Sequence, residues 1–376
     1  MFTLDMFTCR LRERQCGLAM RVLIIADDLT GALDSAVTLT GTGLTCVVAR
    51  RAGDVAAALD LSPDVLAICT ASREGAAAAA RAAVAAAVEA AGTAPAIVFK
   101  KIDSRLKGHV AAEVATLAAH LGLGRALVAP AIPAQGRFVA EGHLQGTGVP
   151  APIYVAGALA GSGLGLDLPD TRDAADLDAA LGRALAGPPA LLVGAAGLAA
   201  AVARRLAPGA GPRTIDRLDG PVLLAIGSHD PITLAQVECL AGRDDVMLLP
   251  APEGLCPPMP RGAAAARILR LVAVPGQPFD ASRAGARFAR GIAGIIGAGD
   301  HGTLLACGGE TADAILGALG QGVLAIEGEV LPGVPVSSMV VGGHRLRLVT
   351  KSGGFGAVDA LASVVAAASA ISLKGA

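Results

Sequence analysis

Short apolar runs alternate with alanine-rich stretches of helical length through most of this 376-residue chain, and that alternation limits the fold more than any other feature. Val22–Ala26, Val65–Thr70, Ile97–Lys100, Ala126–Pro130, Ala190–Val193 and Val222–Ile226 are the clearest runs. Gly75–Ala91, Val110–Leu121 and Leu177–Ala186 suit helices. Strands that are apolar throughout are those covered on both faces, which is the condition of parallel strands joined by helical crossovers. The pattern predicts an α/β fold with mainly parallel sheets flanked by helices.

At roughly 100–200 residues per domain, the length suggests two domains. Ala207-Pro208-Gly209-Ala210-Gly211-Pro212 is rich in breakers and reads as a linker. The first domain is therefore expected over 20–210 and the second over 216–376. Residues 250–262 hold five Pro and two Gly and read as a loop. Val336–Val341 and Arg345–Thr350 flank Gly342-Gly343 and predict a hairpin. No internal repeat is evident. Residues 1–19, ahead of Met20, read as an extension outside the fold.

Composition excludes several classes. A net charge of −1 and 2% aromatics argue against a nucleic-acid binder, which needs a basic stripe or stacking platforms. Seven cysteines, with no C-x-x-C, fit a reducing compartment, so a cytoplasmic location is expected. The histidines do not cluster with them at zinc-ligand spacing. Ala190–Ala203 and the C-terminal apolar stretch carrying Asp359 read as buried helices, not membrane spans. The first 19 residues lack the long apolar core of a signal peptide.

Familiar nucleotide and hydrolase fingerprints are missing: there is no G-x-x-x-x-G-K-[ST], no G-x-S-x-G and no H-E-x-x-H. The one G-x-G-x-x-G, at Gly297, Gly299 and Gly302, follows a helix and precedes a strand, the reverse of a dinucleotide site.

Chemistry-bearing residues gather instead where apolar runs end. Asp27 and Asp28 follow the first run, at the edge where open α/β sheets bind ligands. Thr30-Gly31 then opens a helix whose N–H groups could face an anion, although an Asp here can equally be a helix cap. Thr70-Ala71-Ser72-Arg73 ends another run, and Arg73 could clamp a carboxylate. Lys100 to His109 packs four Lys/Arg cations, Asp103 and Ser104 into ten residues, a set suited to a small hydroxylated anion. In the second domain Gly227-Ser228, Gly308-Gly309-Glu310-Thr311 and Lys351-Ser352-Gly353-Gly354-Phe355-Gly356 each follow a strand. Glycine lets backbone N–H groups approach phosphate, so the three turns together suggest a polyphosphate cradle. Pro130–Arg137 and Glu327–Val336 read as loops, the first near substrate and the second near nucleotide.

Taken in order, ADDLTGA at 26–32, KKIDSRLKG at 100–108, PAIPAQGR at 130–137, GGET at 308–311, LPGVP at 331–335 and KSGGFG at 351–356 resemble the four-carbon acid sugar kinase family. The resemblance runs from about Val22 to the C-terminus. It implies a sugar-acid-binding first domain and a nucleotide-binding second domain, with the active site in the cleft between them. It implies ATP-dependent phosphorylation of threonate, erythronate, 3-oxo-tetronate or a related acid, with Mg²⁺ accompanying ATP. Asp27, Asp28, Arg73, Lys101, Asp103, Ser104 and Arg105 are then the expected substrate contacts, with Asp28 or Asp103 as base. Ser228, Gly308, Gly309, Glu310, Thr311, Gly353 and Gly354 are the expected nucleotide contacts. No metal ligands are assigned. The family's usual D-S-T-L-R-G reads Asp103-Ser104-Arg105-Leu106-Lys107-Gly108 here. A dehydrogenase or isomerase of the same acids, and a non-catalytic sensor, are the rival classes. The partners expected are the acid and ATP, with no nucleic acid and no membrane; a homo-oligomer is compatible with the sequence.

Overall fold

The computed structural model describes residues 20–92, 95–260, 264–299 and 301–369; the expected leading extension lies outside them. The chain divides into two compact units, the first ending at Arg213 and the second beginning at Thr214.

The first unit contains β1 (Val22–Ala26), β2 (Cys46–Ala49), β3 (Val65–Cys69), β4 (Ile97–Lys101), β5 (Arg125–Ala129), β6 (Arg137–Ala140), β7 (His143–Gly146), β8 (Ile153–Tyr154), β9 (Gly165–Asp167) and β10 (Leu191–Gly194). Seven of these form a parallel sheet in the order β2-β3-β1-β4-β10-β5-β9. Every residue of β1 and β3 is buried, which is why the sequence there is apolar without alternation. β6, β7 and β8 form a small antiparallel sheet. From β1 the chain turns towards β2, and from β4 it turns the other way, towards β5. The boundary between β1 and β4 is therefore a topological switch point, the place where doubly wound sheets bind ligands at their C-terminal edge.

The second unit contains β11 (Val222–Ile226), β12 (Val246–Pro252), β13 (Ala266–Val272), β14 (Thr303–Cys307), β15 (Val323–Leu331), β16 (Val334–Val341) and β17 (His344–Lys351). β12-β13-β11-β14-β17 run parallel, and β16 and β15 continue the order antiparallel. The core gathers Leu224, Ile226, Ile268, Leu305, Val349 and Leu361 among others. Its first strand is again central and its second lies beyond its third, so β12-β13-β11-β14 repeats the winding of β2-β3-β1-β4. That shared winding leaves no trace as a sequence repeat. The second switch point lies between β11 and β14.

Three expectations need correction. Ala190–Ala203 is not one helix: Leu191–Gly194 is strand and Ala196–Leu206 is helix. A Cβ on Gly194 would sit 2.5 Å from Ala129 O, so glycine there permits the close pairing of β10 with β5. Glu327–Val336 is strand, turn and strand rather than a loop. Pro332-Gly333, with Gly333 at φ +74°, is the turn, and Pro followed by a left-handed Gly suits type II. The Pro-rich 250–262 segment begins within β12, which runs to Pro252. The Gly342-Gly343 hairpin is present, with φ +57° and +83°, as a two-residue type I′ turn requires. No helix among the described residues is long and apolar enough to cross a membrane.

Candidate active site

At the first switch point Asp27, Asp28, Arg73 and Asp103 form one cluster. Arg73 donates from Nε to Asp27 Oδ2 (2.9 Å), from Nη2 to Asp27 Oδ1 (2.9 Å) and from Nη1 to Asp28 Oδ2 (2.8 Å). Asp103 Oδ2 lies 3.6 Å from Arg73 Nη1. The forked edge of Arg73 is thus filled by the protein's own Asp27. Burial disfavours the Asp27 carboxylate, but Arg73, Lys100 and Lys101 outweigh it and hold the group below its ordinary range. Burial works against the Arg73 charge too, and Asp27, Asp28 and Asp103 reverse that, raising its pKa.

The paired aspartates divide their work. Asp28 caps helix Leu29–Val37, its Oδ1 accepting from Gly31 N at 2.9 Å. The N–H expected to face an anion is therefore satisfied by the chain's own carboxylate, which also complements the helix dipole. Asp27, 2% exposed, is the buried partner of Arg73. Asp103 is held differently. Its Oδ1 accepts from Arg105 N (2.9 Å) and Lys107 N (3.3 Å), while Oδ2 has only the long approach to Arg73. Asp103 Oδ2 is accordingly the least engaged carboxylate oxygen of the cluster. Leu106 in this loop adopts φ +60° and Ala71, beside Arg73, φ +49°. Such conformations cost about 1–3 kcal/mol each in a non-glycine residue.

The two lysines ending β4 also separate. Adjacent strand residues point to opposite faces. Lys100, fully buried, pairs with Glu113 Oε2 of helix Val110–Leu121 at 2.7 Å. Glu113 Oε1 accepts from Ser72 Oγ, which meets Thr70 Oγ1 at 2.7 Å. Lys101 lies on the other side, donating from Nζ to Ile102 O at 2.8 Å. A Cβ on Gly31 would meet Asp28 Oδ1 and Lys101 Nζ at 2.5 and 2.6 Å, which places that ammonium beside Asp28. Lys101 belongs to the cluster; Lys100 is part of the frame beneath it.

Sequence reasoning placed Arg137 in a loop near substrate but gave it no role. It follows the 3-10 turn Pro133–Gln135 and starts β6. Its Nη1 donates to Ser104 Oγ at 2.5 Å and its Nε to Thr147 O at 3.0 Å. The available signal was its place at the end of PAIPAQGR.

At the second switch point the small turns meet one another. A Cβ on Gly227 would come within 2.0 Å of Thr311 Oγ1, and one on Gly353 within 2.1 Å of Ser228 Oγ. One on Gly354 would reach 2.9 Å from Asp230 Oδ2. Gly308, at φ +104°, caps helix Gly309–Ala318 without a side-chain hydrogen bond. The N–H groups of Gly309, Glu310 and Thr311 thus begin a helix whose end carries partial positive charge. Gln236 was missed by sequence: fully buried, its Nε2 donates to the carbonyls of Phe355, Gly356 and Ala357. Thr233 Oγ1 donates to Gly353 O at 2.7 Å. Together they pin the glycine turn from below. Lys351, 2% exposed, has its pKa lowered by burial, against the pull of Cys307 and Asp230.

The fold defines a class, an α/β protein of two units, each built on a mainly parallel sheet flanked by helices. A sugar-binding N-terminal domain model matches residues 22–152 and a nucleotide-binding C-terminal domain model matches residues 276–361. The D-threonate kinase of Cupriavidus necator is 33% identical, covering 91% of this chain and 96% of its own. The D-threonate kinase of Salmonella typhimurium is 30% identical (91% and 97% covered), and the 3-oxo-tetronate kinase of Pseudomonas fluorescens 29% (89% and 94%). The chain belongs to this family, the four-carbon acid sugar kinases. A solved Haemophilus influenzae protein shares the fold, with TM-score 0.66 at 21% identity over 93% of this chain and 99% of that one.

Proposed function

We propose that this protein transfers the γ-phosphate of ATP to a hydroxyl of a four-carbon sugar acid, D-threonate being the first candidate. The observation that carries this reading is Asp103, tied through one oxygen to backbone and open at the other, in a cluster with Lys101 and Arg73. The kinship with D-threonate and 3-oxo-tetronate kinases supports it.

Asp103 Oδ2 accepts the proton of the attacking hydroxyl as the new P–O bond forms. Arg73 keeps Asp27 ionised and holds both Asp27 and Asp28 in place, and Lys101 adds positive charge near the reacting oxygens. The β- and γ-phosphates lie against backbone N–H groups of the turns at Gly227, Gly308, Gly353 and Gly354 and of the helix that starts at Gly309. Phosphoryl transfer depends mostly on positioning and electrostatics, and the accepting oxygen must come within about 3–3.5 Å of phosphorus. Mg²⁺ usually needs only one or two carboxylates besides phosphate oxygens and water. Asp230 and Glu310, beside the glycine turns, fit that need, and the ion would neutralise phosphate charge.

Two results follow. ATP consumption across three- to six-carbon sugar acids will be fast with a four-carbon acid; a folded protein that consumes ATP with none of them contradicts the proposal. Gly353→Ala places a methyl against Ser228 Oγ. The turn must shift to make room, and KM for ATP rises roughly 10- to 100-fold, a loss of about 1.4–2.8 kcal/mol of binding, while KM for the acid holds. Unchanged ATP affinity would remove this turn from the nucleotide site.

A further inference from the structure

The cluster around Arg73 leaves a question of charge. A sugar acid brings a carboxylate that needs a cation with a free hydrogen-bonding edge, and the forked edge of Arg73 is already engaged by Asp27. Lys101 offers a point charge and no fork. Arg105 is exposed, and the half-buried guanidinium that remains is Arg137. It is held in place at two atoms, by Thr147 O at Nε and by Ser104 Oγ at Nη1, so its plane is fixed before any ligand arrives. Nη2 is bound by neither contact. It lies beside Gly148, where a Cβ would stand 3.3 Å from it, and the left-handed φ of +74° favours glycine there.

Two further observations point to an anion at this place. Burial first, and then Arg105, lower the pKa of Arg137, with Asp103 opposing them. Two guanidiniums are therefore held close enough to repel, and Asp103, the carboxylate that offsets this for Arg137, is already bonded to backbone N–H groups. Around the site three carboxylates (Asp27, Asp28, Asp103) face at least four cations (Arg73, Lys101, Arg105, Arg137). The second observation concerns Ser104. Its Oγ accepts from Arg137, so its own proton is directed elsewhere, to an acceptor. A carboxylate oxygen on Arg137 Nη2 that also takes the Ser104 proton would satisfy both groups and separate the repelling cations.

We infer that Arg137 and Ser104, with Arg105 alongside, form the subsite that grips the substrate carboxylate and sets the preference for an acid over a neutral polyol. This rests on the sugar-acid kinase reading and adds a specificity site to it. The departure from the family's D-S-T-L-R-G falls inside this subsite: Arg105 supplies a cation at a position where Thr is usual.

The test compares a four-carbon sugar acid with its carboxamide, which keeps every hydroxyl and loses the charge. Wild type, Arg137→Gln and Arg105→Thr are each assayed with both. Loss of one partner of a charge pair in such a site weakens it on the order of 100-fold. Arg137→Gln should therefore raise KM for the acid about that much and leave the carboxamide nearly unaffected, so the preference collapses. Arg105→Thr should do the same to a smaller degree. An acid-to-amide ratio unchanged in Arg137→Gln, whatever the overall rate, makes Arg137 a structural residue and overturns the inference. Should wild type phosphorylate neither compound, the kinase proposal fails separately. Calorimetric binding of the acid to wild type and Arg137→Gln then decides the subsite, and equal affinities refute it.

Discussion

Asp103→Asn lowers turnover by about 10²- to 10⁴-fold, the range a positioned general base contributes, and leaves the fold and the ATP affinity unchanged. The geometry makes this substitution clean. Asparagine Oδ1 can still accept from Arg105 N and Lys107 N, so the loop keeps its turn. Only the second oxygen, the one with the long approach to Arg73, is replaced by an amide that takes up no proton. Single-turnover rates, with the thermal midpoint as a folding control, check the result. A variant with near-normal turnover would move the base to Asp28. That residue already spends one oxygen on Gly31 N and the other on Arg73, and Asp28→Asn would then show the larger loss.

Glu113→Ala destabilises the first domain by about 3–5 kcal/mol, because a buried ion pair broken on one side leaves an uncompensated charge. Lys100 and Glu113 are 0% and 1% exposed, so neither can turn to water without opening the sheet edge, and Ser72 loses an acceptor as well. For a domain of this size that corresponds to a fall of roughly 6–20 °C in its melting midpoint. Replacing both partners with apolar residues of similar volume, as in Lys100→Met with Glu113→Leu, should recover most of the loss. A Glu113→Ala protein that melts within a degree or two of wild type would show that water or a rearranged neighbour satisfies Lys100.

The central strands were legible because burial on both faces leaves only apolar residues: β1, β3 and β11 end within a residue of the sequence estimate. β2, only four residues long, and the partly exposed β12 and β13 had no such run and were missed. β15 alternates buried and partly exposed residues, and its Pro332-Gly333 turn resembled a loop. At the site, the residue types were readable and their partners were not. Lys100 and Lys101 look equivalent in sequence; register sends one to Glu113 and the other to the side that carries Asp28 and Gly31. Arg73 appeared free to clamp a ligand because nothing in the sequence ties it to Asp27, 46 positions away. Arg137 and Gln236 act through contacts 33 and about 120 residues distant, which no local pattern encodes.

The most direct test of the account is phosphorus NMR of a reaction containing the protein, MgATP and a four-carbon sugar acid. The account predicts that γ-phosphate disappears as ADP and a phosphate monoester on a hydroxyl carbon grow in equal amounts. Inorganic phosphate in place of the ester, or an acyl phosphate on the carboxylate, would contradict it.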